Sequence, residues 1–245
     1  MSTPREKPDG ELSPETRALL AGCSCATLST QLFKRGLRNQ VMQGVSRLTR
    51  KASALVGQAY TLRNIPARED IDHVGIHQDP DHPQRKAIET VPPGRVLVID
   101  CRGDARCASA GGILVRRLAV RGAAGLVSDG GLRDTPEISA ESFPVYCQAP
   151  AAPISLTHQH AVDVEVPIAC GGVAVYPGDV IVGDAEAVIV VPAHLADEVA
   201  RDAFDQEQLE AFVLEEIAAG RPLPGTYPPN DATRARYQEW KKKPT

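Results

Sequence analysis

Two short apolar runs, RVLVID (residues 95–100) and AGLVSD (residues 124–129), bracket a stretch whose apolar residues Ile113, Leu114 and Leu118 recur at helical spacing. Runs this short and this continuous suit strands buried on both faces. Gly111-Gly112 opens the helical stretch, Ile113 to Arg121, and Gly122 stops it. Strand, helix and strand in that order predict a parallel pair joined by a crossover, right-handed by default, and so an α/β fold. Open α/β sheets place ligands beyond the carboxyl ends of their strands. Here that end is Gly130-Gly131-Leu132-Arg133-Asp134.

The rest of the chain fits around this unit. Residues 1–12 read as a disordered extension, 13–220 as one core and 221–245 as a surface tail. Ser13-Pro14 starts a helix as N-cap and first residue; a second helix covers Thr27 to Arg35 and ends at Gly36. Ala54 to Ile65 has strand character. Ala67 to Arg85 is rich in Asp, His and Pro and reads as a long surface loop, with a short helix at Lys86 to Thr90. From Val145 to Pro192 strands dominate: Val162–Ala169, Val173–Tyr176, Val180–Gly183 and Ala187–Val191. A closing helix runs from Leu195 to Gly220. No Pro/Gly/Ser-rich linker splits the middle, so a single domain is expected.

The chain is 42% hydrophobic and 24% charged, with a net charge of −4 and no basic stripe, which argues against a nucleic-acid partner. No apolar run is long enough for a membrane span, and the polar N-terminus lacks the apolar stretch of a secretory signal. Cys23, Cys25, Cys101, Cys107, Cys147 and Cys170 are scattered, without a C-x-x-C pair. They read as reduced thiols of a cytoplasmic protein.

Arg133 offers two parallel donors to a carboxylate and opposes charge on a neighbouring oxyanion. Asp134 offers a hard oxygen to a divalent cation. The free amides of a helix that begins at Gly111-Gly112 favour an anion, and glycine lets it approach closely. A small carboxylate such as pyruvate fits between the two.

The ordered string AGGILVRRLAVRGAAGLVSDGGLRD resembles the class II pyruvate aldolases that cleave 4-hydroxy-4-methyl-2-oxoglutarate and 4-carboxy-4-hydroxy-2-oxoadipate. Their superfamily also holds the RraA proteins, regulators of ribonuclease E activity. REDID, PPGRVLVID and PGDVIVGDAEAVIVVP extend the likeness from Leu28 to Gly220. The resemblance implies a layered β/β/α sandwich of the swivelling-domain type, with terminal helices, assembled as a homotrimer or homohexamer with sites between subunits. It implies that Arg133 binds the pyruvyl group and steadies its enolate. Asp134 would hold Mg²⁺ or Mn²⁺, and Gly111, Gly112, Ile113 and Leu114 would bind substrate through backbone amides. A glutamate of the neighbour's closing helix, Glu215 or Glu216, would join the site. One departure stands out: the aldolases carry an acidic residue where this chain has Gly112, which removes a general base beside the metal.

Other polar clusters invite plainer readings. His73 and His77, among Asp70, Asp72, Asp79 and Asp81, read as a cleft rim or subunit contact rather than a second metal site. His158 and His160 beside Asp163 read as solvated or at an interface, and Asp179 and Asp184 as turn residues. Arg116 and Arg117 reach a polyanionic substrate, a neighbour or only solvent. The expected function is a metal-dependent lyase on a 2-oxo acid, by retro-aldol cleavage or decarboxylation. The alternative is a non-catalytic regulator of a ribonuclease E-type partner. A quinone methyltransferase has no glycine-rich nucleotide loop here to support it.

Overall fold

The computed structural model describes residues 10–242. Helix α1 (Pro14–Ala21) begins where the Ser13 side chain accepts the Thr16 amide; α2 (Cys25–Lys34) begins the same way, with Ser24 accepting from Thr27. The strands and helices that follow are β1 (Ser46–Arg47), β2 (Leu55–Pro66), α3 (Pro83–Thr90), β3 (Arg95–Asp100), β4 (Ala108–Ala110), α4 (Gly112–Val120), β5 (Gly125–Ser128), β6 (Gly131–Leu132) and α5 (Thr135–Ser139). Then come β7 (Val145–Cys147), β8 (Ala149–Pro150), β9 (Gln159–Val164), β10 (Ile168–Cys170), β11 (Val173–Val175), β12 (Val180–Gly183), β13 (Val188–Val191), α6 (Ala196–Ala218) and α7 (Asp231–Trp240).

The main sheet runs β1-β7-β5-β3-β2-β12-β13, and β9 pairs with β2. As the crossover predicts, β3 and β5 are parallel. Strand β2 is long enough to hold three partners in turn: β12 along Leu55–Gln58, β3 along Gln58–Arg63 and β9 along Leu62–Pro66. The sheet is thereby nearly closed. Both faces are covered, which is why RVLVID carries no alternation. Val96 and Val98 join Val127, Tyr146, Ile181 and the small β10–β11 sheet in one core. Leu97 and Ile99 join Ala87, Ile88, Val115 and Leu118 of α3 and α4 in another. A third core packs α1, α2 and α6 through Leu20, Leu28, Val199 and Ala203 onto Val180, Val182, Ile189 and Val191. Each fully buried leucine contributes about 1.5–3 kcal/mol of transfer free energy. The α/β class and the layering agree with the sequence reading.

Four local expectations change. Val162–Ala169 is two strands, broken where Glu165 takes a φ of 60° and the chain leaves the main sheet for the β10–β11 sheet. The stretch from Ala67 to Arg85 carries a 3₁₀ turn at Val74–Gln78, and its last residues already belong to α3, because Pro83 is an apt first helical residue. Residues 221–242 are not a bare tail: α7, capped by Asn230, packs Tyr237 and Trp240 on Phe212 of α6 with ring centroids 5.6 and 5.9 Å apart. Of the proposed disordered extension, residues 1–9 lie outside the described residues, as do 243–245; Gly10 and Leu12 are tied to β2 through the Gln58 amide.

All six cysteines are free and buried, and burial pushes the Cys101 thiol up to about 12. Among the described residues no helix is long and apolar enough to cross a membrane.

Candidate active site

A second small sheet, β4-β6-β8, sits beyond the ends of β3 and β5. Strand β6 is squeezed between its neighbours: a Cβ on Gly131 would lie 2.5 Å from Ala151 Cβ and 2.7 Å from the Cys107 carbonyl oxygen. The double glycine is therefore a packing requirement, and it delivers Arg133 and Asp134 to the first turn of α4. The Arg133 amide donates to the Ala110 carbonyl at 3.1 Å. Asp134 adopts a left-handed backbone, φ 57° and ψ 33°, sparsely populated by non-glycine residues and often found at functional sites. Its side chain returns to α4, where Oδ2 accepts the Gly112 amide at 2.9 Å and lies 3.7 Å from Arg133 Nε.

The two glycines ahead of α4 differ in what they permit. A Cβ on Gly111 would stand 2.7 Å from Asp134 Oδ2 and 2.9 Å from Arg133 Cγ, so any side chain there would push both functional groups aside. At Gly112 the nearest atom would be Asp134 Cβ at 3.4 Å, an ordinary contact. A Cβ there would fit alongside Asp134. The absence of an acidic side chain is a difference in chemistry, not in the room left for a Cβ.

These elements enclose a cleft of about 180 Å³, lined by Ala108, Ala110, Gly111, Ile113, Leu114, Arg133 and Asp134, and on the facing side by His77, Gln84, Arg85, Ile154 and Ser155. The amides of Ile113 and Leu114, in the first turn of α4, have no intrahelical acceptor. No ion pair among the described residues involves Arg85; burial and the neighbouring Arg133 hold its guanidinium below its ordinary value. Two guanidiniums and a helix N-terminus against one carboxylate leave the cleft short of negative charge. That deficit is what an anionic ligand supplies.

His77 enters from the Ala67–Arg85 stretch. Its imidazole is pushed down to about 4, first by burial, then by Arg85, His82 and Arg133, with Asp72 opposing. The segment that carries it is pinned by Asp72, whose fully covered carboxylate accepts His160 Nδ1 and the Arg68 amide, both at 2.7 Å.

Gly111, Gly112, Ile113, Leu114, Arg133 and Asp134 are thus brought to one place, although the Ile113 side chain is 82% exposed at the rim. Within the chain, Glu215 and Glu216 lie beside α7: Glu215 accepts Trp240 Nε1 at 2.8 Å, and Glu216 sits between Arg221 and Arg236. Arg116 and Arg117 are spent on the surface carboxylates of Glu141 and Glu89. Arg85, Gln84 and Ser155 escaped the sequence reading, which also gave His77 no place in the cleft's chemistry. Its one legible hint was Pro83, which starts a helix two residues before Arg85.

No group of three or more His, Cys, Asp or Glu side chains converges as a metal cage among the described residues. The cleft offers a divalent cation one carboxylate, that of Asp134, whose Oδ2 is taken by Gly112 and whose Oδ1 is left. Mg²⁺ is commonly held by one or two carboxylates with water and substrate completing the shell, so this donor set fits a cation shared with substrate.

The fold is α/β, and its cleft gathers two arginines, one carboxylate and the N-terminus of α4. Residues 25–190 match the family model RraA-like, described as Aldolase/RraA, and the chain belongs to that family. A Halalkalibacterium halodurans protein named provisionally as a 4-hydroxy-4-methyl-2-oxoglutarate aldolase is 36% identical over 141 residues, covering 56% of this chain and 66% of the relative. Thermus thermophilus 4-hydroxy-4-methyl-2-oxoglutarate aldolase is 35% identical over 108 residues, 44% of this chain and 65% of the relative. The chain thus spans just under two thirds of the length of these curated relatives. Among solved structures, Streptomyces coelicolor RraAS2, described as an unusual member of the RNase ES inhibitor RraA family, superposes with a TM-score of 0.73 at 32% identity, covering 87% of this chain and all of that one.

Proposed function

We propose that this protein is a divalent-metal-dependent carbon–carbon lyase acting on a 2-oxo acid, by retro-aldol cleavage that yields pyruvate or by decarboxylation of an oxaloacetate-type acid. The observation that carries the reading is the convergence of Arg133, Asp134 and the first-turn amides of α4 on one cleft. The aldolase names of relatives at 35–36% identity support it.

The substrate carboxylate rests on the Ile113 and Leu114 amides at the positive end of α4. Arg133 lies over the 2-oxo oxygen. As the bond beyond C3 breaks, its electron pair forms a C2–C3 double bond and charge moves to the C2 oxygen, where the guanidinium opposes it. A Mg²⁺ or Mn²⁺ held at Asp134 would supply Lewis-acid stabilisation of the same charge. The two reactions differ in one demand: a retro-aldol step needs a base for the substrate hydroxyl, and a decarboxylation does not. With glycine at 112, decarboxylation or an unfamiliar aldol substrate fits at least as well as the reaction its relatives are named for.

Assembly as a trimer or hexamer would bring a neighbour's closing helix to the cleft. Of its two carboxylates, exposed Glu215 has only the Trp240 hydrogen bond to give up, whereas Glu216 would leave two arginines.

Pyruvate release from 2-oxo acids, measured with Mg²⁺ and again with EDTA, tests the reading. It predicts turnover that EDTA abolishes and that Arg133→Ala cripples. Equal rates with and without metal would remove the metal mechanism. The likeness to RraAS2 keeps a regulator as the competing outcome: a stoichiometric protein partner with no turnover on a panel of 2-oxo acids would replace the lyase.

A further inference from the structure

The cleft contains four ionisable side chains: His77, Arg85, Arg133 and Asp134. A retro-aldol step requires one of them to take a proton from the substrate hydroxyl. The two arginines stay protonated and accept nothing. Asp134 already receives the Gly112 amide on Oδ2, and it is the one carboxylate lining the cleft, so its other oxygen is the natural cation ligand. Gly112 has no side chain to offer. We propose that His77 is the general base of the retro-aldol step, an inference that rests on the lyase reading above.

Three observations favour that role over a merely packed imidazole. His77 lines the same cleft as Arg133 and the α4 turn. Its Nε2 is covered by protein without a hydrogen-bond partner, which leaves Nδ1, to which the described residues supply no partner, as the nitrogen to meet substrate. Half-buried histidines usually satisfy at least one nitrogen structurally; this ring packs edge-on against His82, with centroids 5.2 Å apart, but makes no hydrogen bond to the described residues. Its backbone is not free to drift, because the Asp72–His160 pair and the Arg68 amide fix the start of the segment.

The charges around the ring set its state. Burial first, and then Arg85, His82 and Arg133, disfavour its protonation and Asp72 favours it, so in the free protein the imidazole is neutral and keeps a lone pair. A bound substrate carboxylate neutralises part of the arginine field. Relief of that part of the field makes the ring a stronger base when substrate arrives.

The step balances without any further reactant. The imidazole takes the C4 hydroxyl proton, and the O–H electron pair becomes the second bond of a carbonyl at C4. The C3–C4 bond breaks, and its pair forms the C2–C3 double bond, moving the C2 carbonyl pair onto oxygen. The imidazolium then returns the proton to C3, giving pyruvate and the neutral ring.

The test compares two reactions in the full-length chain with Mg²⁺: cleavage of 4-hydroxy-4-methyl-2-oxoglutarate, and CO₂ release from oxaloacetate, which needs no hydroxyl base. His77→Gln and His77→Ala should lower kcat for cleavage by roughly 10²–10⁴-fold, the usual contribution of a general base. They should change KM and CO₂ release little, and added imidazole should restore part of the His77→Ala rate. CO₂ release also reports that the variants are folded. Parallel loss of both reactions, or unchanged cleavage, would overturn the proposal. If the wild type released CO₂ but cleaved no hydroxy acid, the lyase reading would stand and this assignment would fall. If the wild type did neither, both would fall.

Discussion

Asp129 and Asp134 lie on the same short stretch, at the end of β5 and just past β6, and the fold uses them in opposite ways. Asp129 is 4% exposed, and its carboxylate accepts the amides of Cys101 at 2.6 Å, Gly103 at 3.0 Å and Gly171 at 3.2 Å. It ties the end of β3 and the β10–β11 turn to the end of β5. The side chain of Asp134 is 45% exposed, accepts one amide, and stands on a left-handed backbone beside an arginine. Saturation by backbone donors makes the first a structural node. Under-saturation leaves the second an oxygen for something the chain does not itself supply. Residue type and strand position do not separate the two; the number of amides that converge on each does.

The largest expected effect follows from that difference. Asp129→Ala strands three donors in a buried place and should cost roughly 3–5 kcal/mol in urea unfolding. A smaller loss would mean that water replaces the carboxylate and that the node matters less than its geometry suggests. Arg133→Ala should do the reverse. It should lower kcat/KM by about 10²–10³-fold, the scale of losing one oxyanion donor. It should cost no more than about 1 kcal/mol of stability, because its 3.7 Å ion pair is half-exposed.

The glycine pair sharpens the contrast within the cleft itself. Gly111→Ala forces a methyl into Arg133 and Asp134 and should cost about 1–3 kcal/mol. Gly112→Ala meets only ordinary contacts and adds helix propensity, so it should be neutral or stabilise by up to about 1 kcal/mol. Thermal melts of the two variants check this ordering, and equal losses would refute the packing account of Gly111.

The smallest effect is on pH dependence, where the two regions work in opposite senses. Burial, and then Asp100, raises the Asp129 carboxyl above 3.8, so the native state keeps a proton that the unfolded chain has lost. Its contribution to stability is full below 3.8 and declines as pH rises through the folded value. His77 is depressed from 6.5 to about 4, so between those values the unfolded chain binds a proton that the native state refuses. Stability should therefore fall as pH drops from 6.5 to about 4. His77→Gln should flatten that fall, and Asp129→Asn should remove the opposing slope; unfolding curves across this window read both.

Much of this was legible in the chain because it is local. RVLVID, AGLVSD and the helix between them are patterns that burial on both faces imposes, and they form the strands and helix expected. The ordered glycines and Arg133-Asp134 are close in sequence because β6 and α4 are close in space. The facing wall of the cleft was legible only in part: His77 read as a cleft-rim or subunit-contact residue, and Arg85 did not stand out at all. His77 and Arg85 come from a stretch dense in Asp and Pro, with no periodicity to mark it as packed against anything. Helix α7 was missed for a similar reason: its large apolar anchors are Tyr237 and Trp240 alone, too few to stand out from a polar tail. Glu165 broke an apparently continuous strand through one left-handed residue, a conformation no hydrophobic pattern reports.

The central claim is that the Arg133–Asp134 turn and the first turn of α4 form one site for a 2-oxo acid and its metal. The most direct test is a crystal soaked with Mg²⁺ and oxalate, a mimic of the pyruvate enolate. The account predicts oxalate in the cleft with one carboxylate on the Ile113 and Leu114 amides, Arg133 over its oxygens, and Mg²⁺ reached by Asp134. Oxalate and metal bound elsewhere, with the cleft left to solvent, would contradict it.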